Sequence, residues 1–158
     1  GYIKNETENK IQSNIANLEQ TVRIYNSSLE DTANKLFAIF ESGFGSFFIN
    51  PDEKIKVNGV DTPLISSGGY ALNNNFAKVE AFTDLTGAVA TIFAKSGDDF
   101  VRVSTSLKKE DGMRANGTFL GKNHPAFETI MNKKEYITTE KFCNSLSFVS
   151  AYSFKVVL

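Results

Sequence analysis

A single cysteine, Cys143, and a single histidine, His124, are all this chain has of the two side chains that most often build nucleophilic and metal sites. One cysteine cannot make an internal disulfide framework, and it is expected to pack as a small hydrophobe. One histidine among scattered acids gives no metal-ligand spacing, so neither a metal nor a cofactor is expected. A Cys-His nucleophile pair has no local signature around either residue, and nothing else assembles nucleophile, base and oxyanion stabiliser, so an enzyme is not expected. An excess of charge is missing as well. With 17 basic against 18 acidic residues, there is no footprint for nucleic acid or for an anionic membrane surface. No stretch approaches the roughly 18 to 20 consecutive apolar residues of a membrane span, and none has the make-up of a secretory leader.

Proline and glycine are missing where they would break a helix. Between Gly1 and Gly43 there is neither, and apolar residues recur at Ile11, Ile15, Leu18, Val22, Tyr25, Leu29, Leu36 and Ile39, with Thr32 in the gap. Spacings of four and three held for about four repeats are a heptad pattern and predict one long helix. From Lys10 to Glu41 it would span about 50 Å. Its C-terminal half is expected to pack on the rest of the domain, and its N-terminal half to pair with another chain or project toward a membrane. At 158 residues the chain fits one domain with an adequate core. It divides at residue 42 into a helix over 1–42, for dimerisation and signalling, and a module over 43–158. The closing apolar alternation from Phe154 to Leu158 reads as a strand cut near its end, so the sequence is taken as an excised domain with membrane anchors on flanks outside it.

After Gly43-Phe44-Gly45 the pattern changes from helical to β-rich. Phe47 to Ile49 should begin a sheet, with Asn50-Pro51-Asp52 as a turn. Strands are expected at Lys54 to Val57, around Ala71 and at Phe76 to Thr83. Pro63 to Gly69 reads as a loop and Asn73 to Asn75 as a turn. A short helix with Pro125 near its start covers His124 to Met131, and strands near Tyr136 to Thr139 and Leu146 to Leu158 complete the sheet. No internal repeat suggests a second module.

The segment from Thr86 to Thr118 is the most informative. Two β-rich runs, Thr86 to Lys95 and Phe100 to Thr105, flank Ser96-Gly97-Asp98-Asp99, the signal for an antiparallel hairpin. The acids belong to a solvated turn. In strict alternation Phe100, Arg102 and Ser104 would share one face. An Arg in mid-strand is ordinary on an exposed face, but it also suits a concave face that receives an anion, because the guanidinium presents a planar fork to a carboxylate. Lys95, Arg114 and Thr118 stand nearby in sequence, with hydroxyls from Ser104 and Thr105 and phenols from Tyr136 or Tyr152 as further donors. Phe93, Phe100, Phe142 and Phe148 could wall a pocket.

The threonine-glycine turn, the aspartate pair, the Arg102-Val103-Ser104-Thr105 strand and the downstream Asp111-Gly112, Arg114-Ala115 and Gly117-Thr118 pairs resemble the extracytoplasmic Cache sensor domains of bacterial chemoreceptors and sensor kinases. The likeness extends more weakly from Gly59 to Lys155. Where relatives show a Tyr-x-Thr-x-Tyr-Pro run, this chain has Phe148-Val149-Ser150-Ala151-Tyr152-Ser153, which loses one hydroxyl. The resemblance implies an α+β fold: a long N-terminal helix, then a single PAS-like antiparallel sheet with short helices. It implies a pocket between the sheet and the loops crossing it, with Arg102, Ser104, Thr118, Tyr136, Ser150 and Tyr152 as contacts, and amino acids or small carboxylates as ligands. On that reading the chain is the periplasmic ligand-binding part of a transmembrane chemotaxis receptor, homodimeric through its helix. A histidine-kinase sensor domain and a structural coiled-coil domain without a ligand are the alternatives.

Overall fold

The computed structural model describes residues 1–125, 127–132, 136–142 and 150–157. Helix α1 runs from Tyr2 to Ser42 without interruption, in keeping with the absence of Pro and Gly. Gly43 ends it, and Lys78 Nζ donates to the Gly43 carbonyl while lying 4.9 Å from the centroid of the Phe44 ring. A cation at a helix C-terminus offsets the partial negative charge of its last carbonyls. Among the described residues the burial of α1 is confined to its C-terminal part, at Ala33, Phe37 and Phe40, while Ile11, Ile15, Leu18, Val22 and Tyr25 stay exposed. The helix packs on the strands Tyr136–Phe142 and Ser150–Val157. Ile39, the last residue of the heptad seam, is 46 % exposed. In this half the stripe that packs runs through Phe37 and Phe40, with the seam residue Leu36 partly buried against the same core.

Strands β1 (Phe47–Val57) and β2 (Val60–Ser67) form a hairpin, to which the two-residue β3 (Tyr70–Ala71) adds. The turn is Asn58-Gly59, with φ of 47° and 85°, the left-handed pair that a two-residue hairpin loop requires. The ladder slips between Asn50 and Lys54. The turn expected at Asn50-Pro51-Asp52 is therefore a bulge inside β1, where the Asn50 side chain accepts from the Asp52 N–H at 3.2 Å. Pro63, expected in a loop, lies in β2 opposite Lys54 at the rim of that bulge, where a missing N–H is tolerated.

Phe76 to Thr83, expected as a strand, belongs to helix α2 (Ala77–Thr86). Asn75 Oδ1 takes the N–H of Ala77 at 3.3 Å, Val79 and Phe82 are buried three residues apart, and Gly87 (φ 74°) closes the end onto the Thr83 carbonyl. Capping and burial override the β propensity of Phe, Val and Thr.

Strands β4 (Val89–Ser96) and β5 (Asp99–Thr105) form the expected hairpin, with Ser96 facing Asp99. Helix α3 (Phe127–Asn132) and strands β6 (Tyr136–Phe142) and β7 (Ser150–Val157) follow. The α+β class with its long leading helix stands. The sheet differs from expectation in two respects. It is split into a three-stranded sheet and a four-stranded one ordered β5-β4-β7-β6, and β7 lies parallel to β4. The stretch between β5 and β6 is long enough to return the chain to the end where β5 began, which a parallel arrangement needs. One core, with Phe40, Ile65, Val79, Phe82, Ile92 and Val103, fills one face of β4 and β5. A second, Phe93, Phe100, Leu120, Phe127 and Ile130, fills the other.

Candidate functional site

Register decides which candidates meet. Phe93 pairs with Arg102 on one side and with Val156 on the other, and Val156 pairs with Tyr136. One rung across four strands thus holds Arg102, Phe93, Val156 and Tyr136. The Arg102 guanidinium lies 5.0 Å from the centroid of the Phe93 ring, and its Nη1 donates to Thr118 Oγ1 and to the Phe119 carbonyl, each at 3.0 Å. The backbone of the same loop binds the same residue: the Arg102 N–H goes to the Thr118 carbonyl at 3.0 Å, and the Gly117 N–H to the Arg102 carbonyl at 2.8 Å. A guanidinium stacked on an aromatic face with its fork held by a loop is preorganised for an anion.

Thr118 thus lies beside Arg102. It is fixed by the loop, its hydroxyl donating to the Ala115 carbonyl at 2.5 Å. The loop is braced from behind. Gly117, buried at φ 78°, sits so close to the β1–β2 turn that a Cβ would come within 2.6 Å of the Val57 carbonyl oxygen, and Asn58 Nδ2 reaches the Asn116 carbonyl at 3.5 Å. The hairpin tip is clamped as well. Asp98 pairs with Lys122, which holds its carboxyl below the usual range, the hydrogen bond leading and the Coulomb attraction following. Asp99 Oδ1 accepts from the N–H groups of Phe100 at 2.6 Å and Gly121 at 3.2 Å.

Ser104 does not join Arg102. The β4–β5 register shifts between Ile92 and Phe93, so that Ile92 faces Ser104 and Phe93 faces Arg102, with Val103 as the extra residue. A bulge of one residue reverses the facing of everything beyond it. Ser104 consequently stands beside core residue Ile92 and donates to the Asn75 carbonyl at 2.6 Å. Thr105 takes the place beside Thr91, their hydroxyls meeting at 2.7 Å. The expectation that Phe100, Arg102 and Ser104 share a face is corrected accordingly.

Arg114 is committed elsewhere. It pairs with Glu80 on α2, donates to the Thr105 carbonyl at 2.7 Å and lies 4.2 Å from the centroid of the Phe76 ring, fastening its loop to α2. Lys95 lines a separate cavity with residues of β1 and β2. Tyr152 faces Val89 and Glu140, and Ser150 faces Phe142. Tyr152 is four residues along β7 from the Arg102 rung, about 13 Å at strand rise. The side chains of Tyr136, Ser150 and Tyr152 are outside what the structure describes, and Cys143 and Phe148 lie outside the described residues altogether.

His124 also lies within the field of Arg102. Its imidazole is held below the ordinary histidine pKa, first by burial and second by the positive charge of Arg102. Only the fold brings residues 102 and 124 together, so spacing carries no sign of it. Among the described residues no group of His, Cys, Asp and Glu could hold a metal ion, and no helix is long and apolar enough to cross a membrane.

Residues 1–153 match the family described as the Cache 3/Cache 2 fusion domain. No curated protein matches the chain, and no solved structure does.

Proposed function

We propose a function on the premise that the chain belongs to the Cache 3/Cache 2 fusion domain family, whose members are extracytoplasmic sensory domains that bind small molecules and are not catalytic. In the reading we favour, this chain is the periplasmic sensor of a transmembrane chemotaxis receptor. It recognises a short-chain carboxylate through Arg102, with Thr118 beside it. Residues 43–158 form the binding module and the helix over 1–42 transmits the signal, two copies associating along Ile11, Ile15, Leu18 and Val22.

The observation that carries this is the Arg102 guanidinium itself. It is half-buried midway along the edge strand β5, stacked on Phe93, with Nη1 donating to a hydroxyl and a carbonyl. A carboxylate arriving there adds a charged acceptor to a fork that is already oriented, where charge-assisted bonds are strongest. Removing one partner of such a pair costs roughly 2 to 5 kcal/mol, so Arg102→Ala should weaken binding well over tenfold. Arg102→Lys should rescue little, because it lacks the fork. An anion at Arg102 would also cancel part of the push on His124, so binding should raise the His124 pKa.

Calorimetry over a panel of two- to four-carbon carboxylates, with NMR titration of His124, tests both points. Equal affinity in folded Arg102→Ala would refute the assignment.

A further inference from the structure

A cavity lies away from Arg102, between the bulge of β1 and the β4–β5 hairpin tip. It holds about 320 Å³, and its lining includes Ile49, Pro51 and Pro63 with Lys54, Lys95 and Ser96. The three apolar side chains supply its walls. The two ammonium groups come from different sheets, Lys54 from the ladder slip in β1 and Lys95 from the end of β4.

What singles out this pair is how the neighbouring acids are used. Asp61, which also lines the cavity, is paired across the strands with Lys56 at 2.8 Å. Asp98, on the adjoining tip, is paired with Lys122, and Asp99 is spent on two backbone N–H groups. Among the described residues neither the Lys54 nor the Lys95 side chain makes an ion pair or a hydrogen bond. The position is also fixed, since Ser96 Oγ donates to the Asp61 carbonyl at 3.2 Å and so ties the tip of β4 to β2. Two like charges brought to one concave site repel each other until an anion intervenes. In a cleft walled by low-dielectric surface, their field adds.

We infer that this cavity binds a compact dianion, of the phosphate or dicarboxylate class, at a site distinct from Arg102. Lys54 and Lys95 hold its two negative charges, and the Ile49, Pro51 and Pro63 surface limits its size. Occupation would lock the three-stranded sheet against the hairpin whose other strand carries Arg102.

The test is calorimetry and amide NMR of the whole chain with inorganic phosphate and with succinate, against sodium chloride at matched ionic strength. The proteins are wild type, Lys54→Gln/Lys95→Gln and Arg102→Ala. Both lysines are exposed, so the double variant should fold. Expected are amide shifts at Ser96 and Gly97 with at least one dianion, unchanged in Arg102→Ala, and an affinity about tenfold or more weaker in the double variant and in high salt. Shifts with phosphate alone would assign the site to phosphate groups, and with succinate alone to dicarboxylates. The inference is overturned if neither dianion does more than sodium chloride. It is equally overturned if the double variant binds as well as wild type, or if the shifts fall only around Gly117 and Thr118 and vanish in Arg102→Ala.

Discussion

Replacing Gly117 by alanine probes the brace behind Arg102. The residue sits at φ 78°, a left-handed backbone that costs a residue with a side chain about 1 to 2 kcal/mol. Its new Cβ would lie 2.6 Å from the Val57 carbonyl oxygen and 2.6 Å from Asn58 Cβ. Neither is the loose end of a long side chain, so the loop and the β1–β2 turn must separate, at a cost typical of overpacking, about 1 to 3 kcal/mol. Together these give about 2 to 5 kcal/mol. Gly59→Ala is the control, because Gly59 has φ 85° but nothing within 4 Å of a built Cβ; it should cost only the backbone share, about 1 to 2 kcal/mol. For a chain of this length each kcal/mol moves Tm by about 2 to 4 °C. Urea and thermal unfolding of the two variants should therefore separate clearly. Equal destabilisation would mean that the turn does not press on the loop.

Three further outcomes are expected. Asn73→Ala removes a buried amide that donates to Thr62 Oγ1 and the Pro63 carbonyl, each at 2.9 Å, and accepts from the Ile65 N–H at 2.8 Å; with a buried donor and acceptor left unpaired, urea melts should show a loss of about 3 kcal/mol. Because the folded state depresses the His124 pKa, the unfolded chain takes up that proton first; stability should be full above about pH 6.5 and fall as the pH drops below it, and His124→Gln should flatten that part of the profile. Val22→Glu puts a charge in the exposed stripe of α1 and should abolish any self-association seen by sedimentation; unchanged dimer content would reject the stripe as the interface.

The long helix was legible because its signal is local: heptad spacing with no breaker for some 40 residues. The hairpin was legible for the same reason, since Gly97-Asp98 between β-rich runs specifies its turn. Asn58-Gly59 carries an equally local signal for the β1–β2 hairpin, which should have drawn Pro63 to Ser67 into a strand. The facing of Ser104 was hidden because a bulge is decided by the partner strand, and alternation along β5 alone cannot reveal it. α2 was hidden because Phe, Val and Thr favour strands until the Asn75 turn starts the helix and Gly87 caps its end. The pairing of β7 with β4 joins residues more than 60 positions apart, and so does nothing to local pattern. Of the site, Arg102 and Thr118 could be anticipated, whereas the neighbourhood of His124 and the separate lodging of Lys95 come only from the fold.

Helix α1 is gripped at one end. Among the described residues its first buried position is Ala33, and from there back to Tyr2 about 45 Å of rod extends at 1.5 Å per residue. A tilt of about 5° pivoting at Ala33 shifts Phe37 by about 0.5 Å, within what packed side chains absorb by small rotations, and swings the far end by about 4 Å. The bare half of the helix is therefore a lever with a mechanical advantage near eightfold. A rearrangement at the sheet too slight to break one contact of the core becomes, at Tyr2, a movement of about three-quarters of a helical pitch.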